Sequence, residues 1–179
     1  MKIDQSVESF KIYRLLIDRF YIEKEDQPVV INKNSSLPGL VWSSLNLIFF
    51  SPRIHKDTLI NFNKVNQISK RIDAGFPTDS GYKFMALNLG GDDFEDRYKN
   101  IQNYYKCMKG LKKLYPDFGG VITFSKIGFN KEMNQGLVTF HIDRGTSQNI
   151  SGIIFLEKKK GPPPHVWSIE ETDIYDYNT

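Results

Sequence analysis

The residues with the clearest capacity for acid–base chemistry are His141 and Asp143, which lie two positions apart. Side chains alternate along a β-strand, so two residues at this spacing on a strand share one face of a sheet. A carboxylate beside an imidazole suits a general base, and the two residues form a candidate pocket pair. The competing interpretation is an ordinary surface or half-buried histidine on a strand.

Charged residues near the C-terminus indicate a different activity, the binding of a partner protein. Lys158, Lys159 and Lys160 form a basic hairpin tip that can contact phosphates, an acidic partner or solvent alone. Aromatic side chains among carboxylates can dock on a basic protein surface, although a frayed tail has the same composition. The candidate partner-binding residues of this acidic segment are Glu170, Glu171, Asp173, Tyr175 and Tyr177.

Other reactive residue types lack the spacing that their chemistry requires. The four carboxylates between Gly90 and Asp96 do not alternate as in a calcium loop, and they suit the first turn of a helix. No histidine has a second ligand at a zinc-type spacing, and the single cysteine, Cys107, lies in a helical pattern. We therefore expect no metal site, no cofactor and no enzymatic activity.

Four successive predicted strands position these candidates. They cover Gly119–Gly128, Gln135–Asp143, Ile150–Lys158 and His165–Thr172. The connections between them are short, and the one before His165 contains three prolines, so antiparallel neighbours in a four-stranded meander are the simplest arrangement. The third strand is apolar on both sides, which predicts a central strand covered on both faces.

The preceding part of the chain supplies helices for this sheet. Apolar residues at spacings of three and four predict helices over Asp4–Phe20, His55–Ile72 and Asp92–Tyr115. Pro28–Asn32 and Tyr82–Leu89 are predicted strands, and Val41–Phe50 fits either a helix or a strand. The predicted core includes Phe94, Tyr98, Ile101, Tyr105, Met108, Phe124, Val138, Phe140, Ile154, Leu156 and Trp167.

The predicted fold class is α+β, with about three helices packed on one side of a mostly antiparallel sheet that ends in the four-stranded meander. The 179 residues suit a single domain over 1–179. The 24 basic and 21 acidic residues are too evenly balanced to indicate nucleic-acid binding. The sequence has no apolar run of transmembrane length and no apolar signal-peptide region at its start. We expect a cytoplasmic protein, or a periplasmic or lipid-anchored one if a signal peptide has been removed.

Several short segments carry a resemblance over roughly residues 90–170. They are Tyr115-Pro116, Ser125–Asn130, Gly136–Val138, Leu156–Lys158 and Trp167–Ile169. In these segments the chain resembles an uncharacterised group of bacterial proteins, many of them exported or lipid-anchored. It departs from the group at Arg144–Gly152, where a cysteine-containing, glycine-rich segment is usual. The resemblance implies a shared fold and a bacterial origin, and it implies no reaction.

Two functions follow as expectations. The first is a non-enzymatic module that binds another protein, in its most specific version an immunity-type protein that occludes a toxin, by analogy with other small proteins that lack motifs. The second is a small-ligand-binding protein or small enzyme that uses His141 and Asp143 in a pocket between the sheet and the helices. The oligomeric state does not follow from the sequence.

Overall fold

The structure is a computed structural model that describes residues 5–21, 29–32, 53–67, 72, 83–85, 94–116, 119–145, 149–159 and 166–177. Three helices and seven strands lie in this part of the chain. In chain order they are α1 (Gln5–Phe20), β1 (Val30–Asn32), α2 (Lys56–Val65), β2 (Lys83–Met85), α3 (Phe94–Leu114), β3 (Val121–Phe124), β4 (Gly128–Phe129), β5 (Gln135–Asp143), β6 (Asn149–Lys158) and β7 (Trp167–Tyr177).

All the strands belong to one mixed sheet. Its order is β2-β1-β3-β5-β6-β7, and the short β4 pairs with β5 beside β3. The strand β1 runs parallel to β2 and β3, whereas every later pairing is antiparallel. The predicted α+β class and the C-terminal antiparallel meander are confirmed. The predicted ambiguous segment Val41–Phe50 lies outside the described residues.

The helices cover both faces of the sheet rather than one. The buried residues of α1 pack with Ile122, Val138 and Ile154, which share one face. The opposite face packs on α2 through Leu137, Ile153 and Phe155. It also packs on α3, through Val30 and Val121. The expectation of three helices on one side was wrong, because the central strands are apolar on both sides and each face must be shielded from water.

The first predicted strand of the meander is broken into β3 and β4. Between them, the Ser125 hydroxyl accepts a hydrogen bond of 2.8 Å from the Thr139 N–H, and Tyr13 donates one of 3.0 Å to the Ser125 carbonyl. The amide of Asn66 donates to the Lys126 carbonyl and accepts from the Lys126 N–H, both at 2.8 Å. After this break, Ile127 packs in the core beside α1, whereas uninterrupted alternation from Val121 would place it on the opposite face of the sheet.

Gly128 and Asn130, which belong to the segment that carries the resemblance, have structural roles. A Cβ atom on Gly128 would lie 2.3 Å from the Cα of Phe62, so only glycine lets α2 approach β4 this closely. The side-chain Oδ1 atom of Asn130 accepts hydrogen bonds of 3.0 Å from the backbone N–H groups of Asn134 and Gln135. Asn130 therefore organises the loop with its side chain, not through an unusual backbone conformation.

The core predictions hold for most described residues. Phe124, Val138, Phe140, Ile154, Leu156, Trp167 and Met108 are buried. Tyr105 was wrongly placed in the core: its side chain is 61% exposed, and the neighbouring Tyr104 is buried instead. The sheet-facing stripe of α3 runs through Tyr104 and Met108, and adjacent helical positions point about 100° apart. The side chains of Phe94, Tyr98 and Ile101 lie outside the described part of the structure.

Two predicted boundaries were also wrong. The second helix ends at Val65 rather than near Ile72, and the Asn66 side chain binds the Phe62 carbonyl at 2.9 Å. The last strand continues beyond Thr172 to Tyr177, where it pairs with Asn149 of β6. The acidic C-terminal segment is therefore a paired strand and not a frayed tail.

Candidate functional site

A row of polar residues crosses the face of the sheet on which α2 and α3 pack. Thr123 of β3 is paired with His141 of β5, and His141 is paired with Ser151 of β6. Asn32 of β1 donates a hydrogen bond of 3.4 Å from its side chain to the Thr123 hydroxyl. We call Asn32, Thr123, His141 and Ser151 the polar row. Side chains alternate along each strand, and the pairing registers place these four residues on the same face of the sheet.

His141 is held by a short contact within this row. Its Nδ1 atom lies 2.6 Å from the Ser151 hydroxyl oxygen, and its Nε2 atom has no partner among the described residues. Burial lowers the pKa of the imidazole below its ordinary value, and the nearby Asp143 carboxylate opposes this effect by raising it. The net direction is downward, so the imidazole is neutral at neutral pH.

Asp143 lies on the same face as His141, as expected, but it is committed elsewhere. Its Oδ2 atom accepts a hydrogen bond from the Tyr104 hydroxyl of α3, and its Oδ1 atom accepts one of 2.6 Å from the Gly145 N–H. Burial and this carboxylate both raise the pKa of Tyr104. Asp143 therefore anchors α3 and a turn, and it influences His141 only through its charge.

The row does not resemble a nucleophilic site. Ser151 is 4% exposed, so a substrate has little access to its hydroxyl.

A separate cavity of about 290 Å³ lies between α1 and the end of α2, and its lining includes Ser9, Tyr13 and Lys126. Neither His141 nor Asp143 lines this cavity.

A groove of about 390 Å³ opens at one end of the sheet, where the start of α2 meets the β4–β5 loop and the β6–β7 hairpin. We call it the hairpin groove. Gln135 builds its floor: the side-chain oxygen accepts from the His55 N–H at 2.8 Å, and the side-chain nitrogen donates to Glu157 at 2.6 Å. The other lining residues include Asn134, Lys159 and Glu170. Three of the predicted partner-binding residues, Lys158, Lys159 and Glu170, therefore line this groove.

Lys158 also borders the groove, but its charge is used within the molecule. Its ammonium lies 2.8 Å from Oε2 of Glu8 and 5.2 Å from the centre of the Trp167 ring. The side chain is only 14% exposed, so Lys158 is not part of a solvated basic tip. Lys159 is exposed, and Lys160 lies outside the described residues. Glu8 was not identified from the sequence as the partner of Lys158. Its position four residues before the buried Ile12 does indicate that it lies on the packed face of α1.

The strand β7 forms one edge of the described sheet. Within the described residues it pairs only with β6. Its sequence contains four carboxylates and no lysine or arginine. Val166, just before the strand, is 65% exposed, and Ile174 within it is 42% exposed. The backbone of β7 includes four more of the predicted partner-binding residues, Glu171, Asp173, Tyr175 and Tyr177. Their side chains lie outside the described part of the structure.

Comparison with known proteins adds no assignment: no protein-family model, no curated protein and no solved structure matches the chain. Within the described residues, no three histidine, cysteine or acidic side chains come together as metal ligands. The described helices include none that is long and apolar enough to cross a membrane. The candidate sites in the described part of the chain are the polar row, the hairpin groove and the β7 edge.

Proposed function

We propose that this protein is a non-enzymatic module that binds a basic partner protein through the edge of β7. The observation that carries the proposal is β7 itself, a long acidic strand that has a paired neighbour on one side only in the described sheet. Eleven residues at about 3.3 Å each give an edge of about 36 Å. On the side away from β6, its backbone pairs with no strand in the described part of the chain, which suits the addition of a further strand, and exposed Val166 and Ile174 supply apolar contact area.

The charge of the edge favours a basic partner. Four carboxylates without a neighbouring cation in the strand attract positive charge and speed the encounter with it, most strongly at low salt. In the most specific version of the proposal, the module is a bacterial immunity-type protein, and the partner is a toxin that it occludes. That version predicts that the partner is toxic when it is expressed alone.

The test is a pull-down from a lysate of the source organism, read by mass spectrometry, with three forms of the tagged protein. They are the wild type, Asp173→Lys on β7 and the control Asp18→Lys, which reverses one exposed charge on α1. We expect one stoichiometric partner that declines as salt rises, at least tenfold loss with Asp173→Lys, and no loss with the control. Equal recovery by both variants places the contact elsewhere, and no partner at any salt concentration contradicts the proposal.

A second candidate function is the binding of a small polar ligand at the polar row, or chemistry on such a ligand. The observation that favours it is the part-exposed, neutral His141, whose Nε2 atom has no partner among the described residues. The commitment of Asp143 to Tyr104 counts against a catalytic pair. A thermal-shift screen of metabolites tests this function: a stabilising ligand must lose its effect with His141→Ala.

A further inference from the structure

The hairpin groove contains two carboxylates, and in each of them only one of the two oxygen atoms accepts a hydrogen bond from the described residues. Oε1 of Glu157 accepts a hydrogen bond of 2.6 Å from Gln135, and Oε1 of Glu170 accepts one of 2.5 Å from the Ser168 hydroxyl. Neither Oε2 atom has a partner among the described residues. Each carboxylate is therefore fixed in position by one oxygen while the other remains able to accept a hydrogen bond.

The carboxylates of the hairpin groove outnumber its lysines that are not ion-paired. Lys158 is ion-paired with Glu8, so Lys159 is the one lysine among the described lining residues whose ammonium has no partner there. Lys159 is exposed at the rim, whereas Glu157 and Glu170 are partly buried. His55 and Asn134 complete the wall, and the Asn134 side-chain oxygen accepts from Asn130. The groove has a volume of about 390 Å³, within the range of about 300–1,000 Å³ that is typical of ligand clefts.

We propose that the hairpin groove binds an arginine side chain of the partner protein, through the free oxygens of Glu157 and Glu170. A guanidinium carries five N–H donors in a planar fork, which suits two acceptors on separate side chains. A divalent metal ion suits the groove less well, because calcium needs six to eight oxygen ligands and the groove offers two free carboxylate oxygens. A lysine ammonium is a compact point charge, and it would match two separated acceptors less closely.

This inference rests on the proposed function and adds a specific anchor to it. The groove lies where β7 begins, beside the exposed Val166, whose carbonyl accepts from the Lys159 N–H at 3.2 Å. A basic segment that runs along the β7 edge can therefore place an arginine in the groove at one end. Arginine is also enriched among the residues that dominate protein–protein binding energies.

The experiment uses a small probe in place of the unknown partner. N-acetyl-arginine amide is titrated into the whole protein and followed by ¹H–¹⁵N NMR, with N-acetyl-citrulline amide as the uncharged isostere. We expect a dissociation constant on the order of millimolar, with shifts at Asn134, Glu157 and Glu170. The citrulline probe should bind at least tenfold more weakly, because it lacks the charge that the two carboxylates attract.

Three variants sharpen the result. Glu170→Gln should weaken the arginine probe by about fivefold or more, and Lys159→Gln should tighten it, since each changes one charge of the lining. The control Asp18→Asn alters an exposed carboxylate on α1 and should leave the affinity unchanged. Unchanged spectra of folded Glu170→Gln confirm that the loss is local.

The outcomes separate this inference from the proposed function. Equal binding of both probes, shifts outside the groove, or no effect of Glu170→Gln overturns the arginine site. If a partner is captured through Asp173 while the arginine probe fails to bind, the proposed function stands and the groove inference falls. If the probe binds as expected but no partner depends on β7, the groove remains an arginine site and the proposed function falls.

Discussion

The indole Nε1 of Trp167 donates a hydrogen bond of 2.6 Å to Oε2 of Glu8, a residue 159 positions earlier in the chain. The same carboxylate oxygen lies 2.8 Å from the Lys158 ammonium, and Oε1 lies 3.0 Å from that of Lys11. One buried carboxylate thus joins the first helix to the last hairpin. Its contacts also engage the ammonium of Lys158 and leave Lys159 as the lysine of the hairpin groove that is not ion-paired.

Removing the Glu8 carboxylate should destabilise the fold. Glu8→Ala leaves the part-buried Lys158 ammonium and the buried Trp167 N–H without their acceptor, which should lower the free energy of unfolding by about 3 kcal/mol. Urea denaturation measures this change. The matched control on the same helix is Asp18→Ala, which breaks an exposed pair of 3.9 Å with Arg14 and should change stability by less than about 0.5 kcal/mol. Similar losses in both variants would contradict a special role for Glu8.

The contribution of Glu8 should also depend on pH. Its donors, chiefly Lys158, lower the pKa of the folded carboxyl group to about 2 from an ordinary value of 4.5, although burial alone would raise it. Because the folded pKa is lower, the stabilisation is present above about pH 4.5 and disappears as the pH falls towards 2. The difference in unfolding free energy between wild type and Glu8→Gln should therefore shrink over this interval. A difference that stays constant from pH 6 to pH 2 would exclude the ion pair as its source.

Two glycine-to-alanine substitutions should have opposite effects. Gly128→Ala places a methyl group 2.3 Å from the Phe62 backbone, where no flexible side chain can yield, so stability should fall by at least about 3 kcal/mol. Gly110→Ala on α3 meets nothing within 4 Å and raises helix propensity, which should add up to about 1 kcal/mol. Thermal and urea denaturation of both variants check the pair. A well-tolerated Gly128→Ala would show that α2 does not approach β4 this closely.

The imidazole of His141 should titrate below its ordinary value of 6.5, since burial lowers its pKa. Asp143→Asn removes the charge that raises this pKa and should lower it further. The Cε1–H resonance of His141, followed by NMR against pH, gives the value directly. Because the folded pKa is lowered, the related stabilisation is present above pH 6.5 and declines as the pH falls. A rise in the pKa with Asp143→Asn would contradict the described geometry.

Local patterns in the sequence predict much of this architecture. The period-two alternation places His141 and Asp143 on one face, and the apolar run Ile153–Leu156 identifies a strand that is covered on both sides. The short connections indicate the antiparallel meander. These features depend on neighbouring residues along the chain, which is why propensity and spacing are sufficient for them.

Features that depend on distant residues could not be predicted in this way. The break after β3 is held by Asn66, which lies 60 positions from Lys126, and the burial of Lys158 depends on Glu8. The choice of Tyr104 over Tyr105 as the buried residue depends on the rotation of α3 against β1 and β3. The acidic composition of the C-terminus resembles that of a tail, yet ladder pairing with β6 makes it a strand.

The composition of β7 has a consequence for copies of the protein that meet one another. Two such edges laid side by side would bring eight carboxylates into one seam, and like charges facing each other across strands repel. The edge therefore discourages the growth of continuous sheets from copy to copy, a hazard for any long open strand. The same carboxylates that attract a positively charged strand thus also repel a second copy of the protein at this edge.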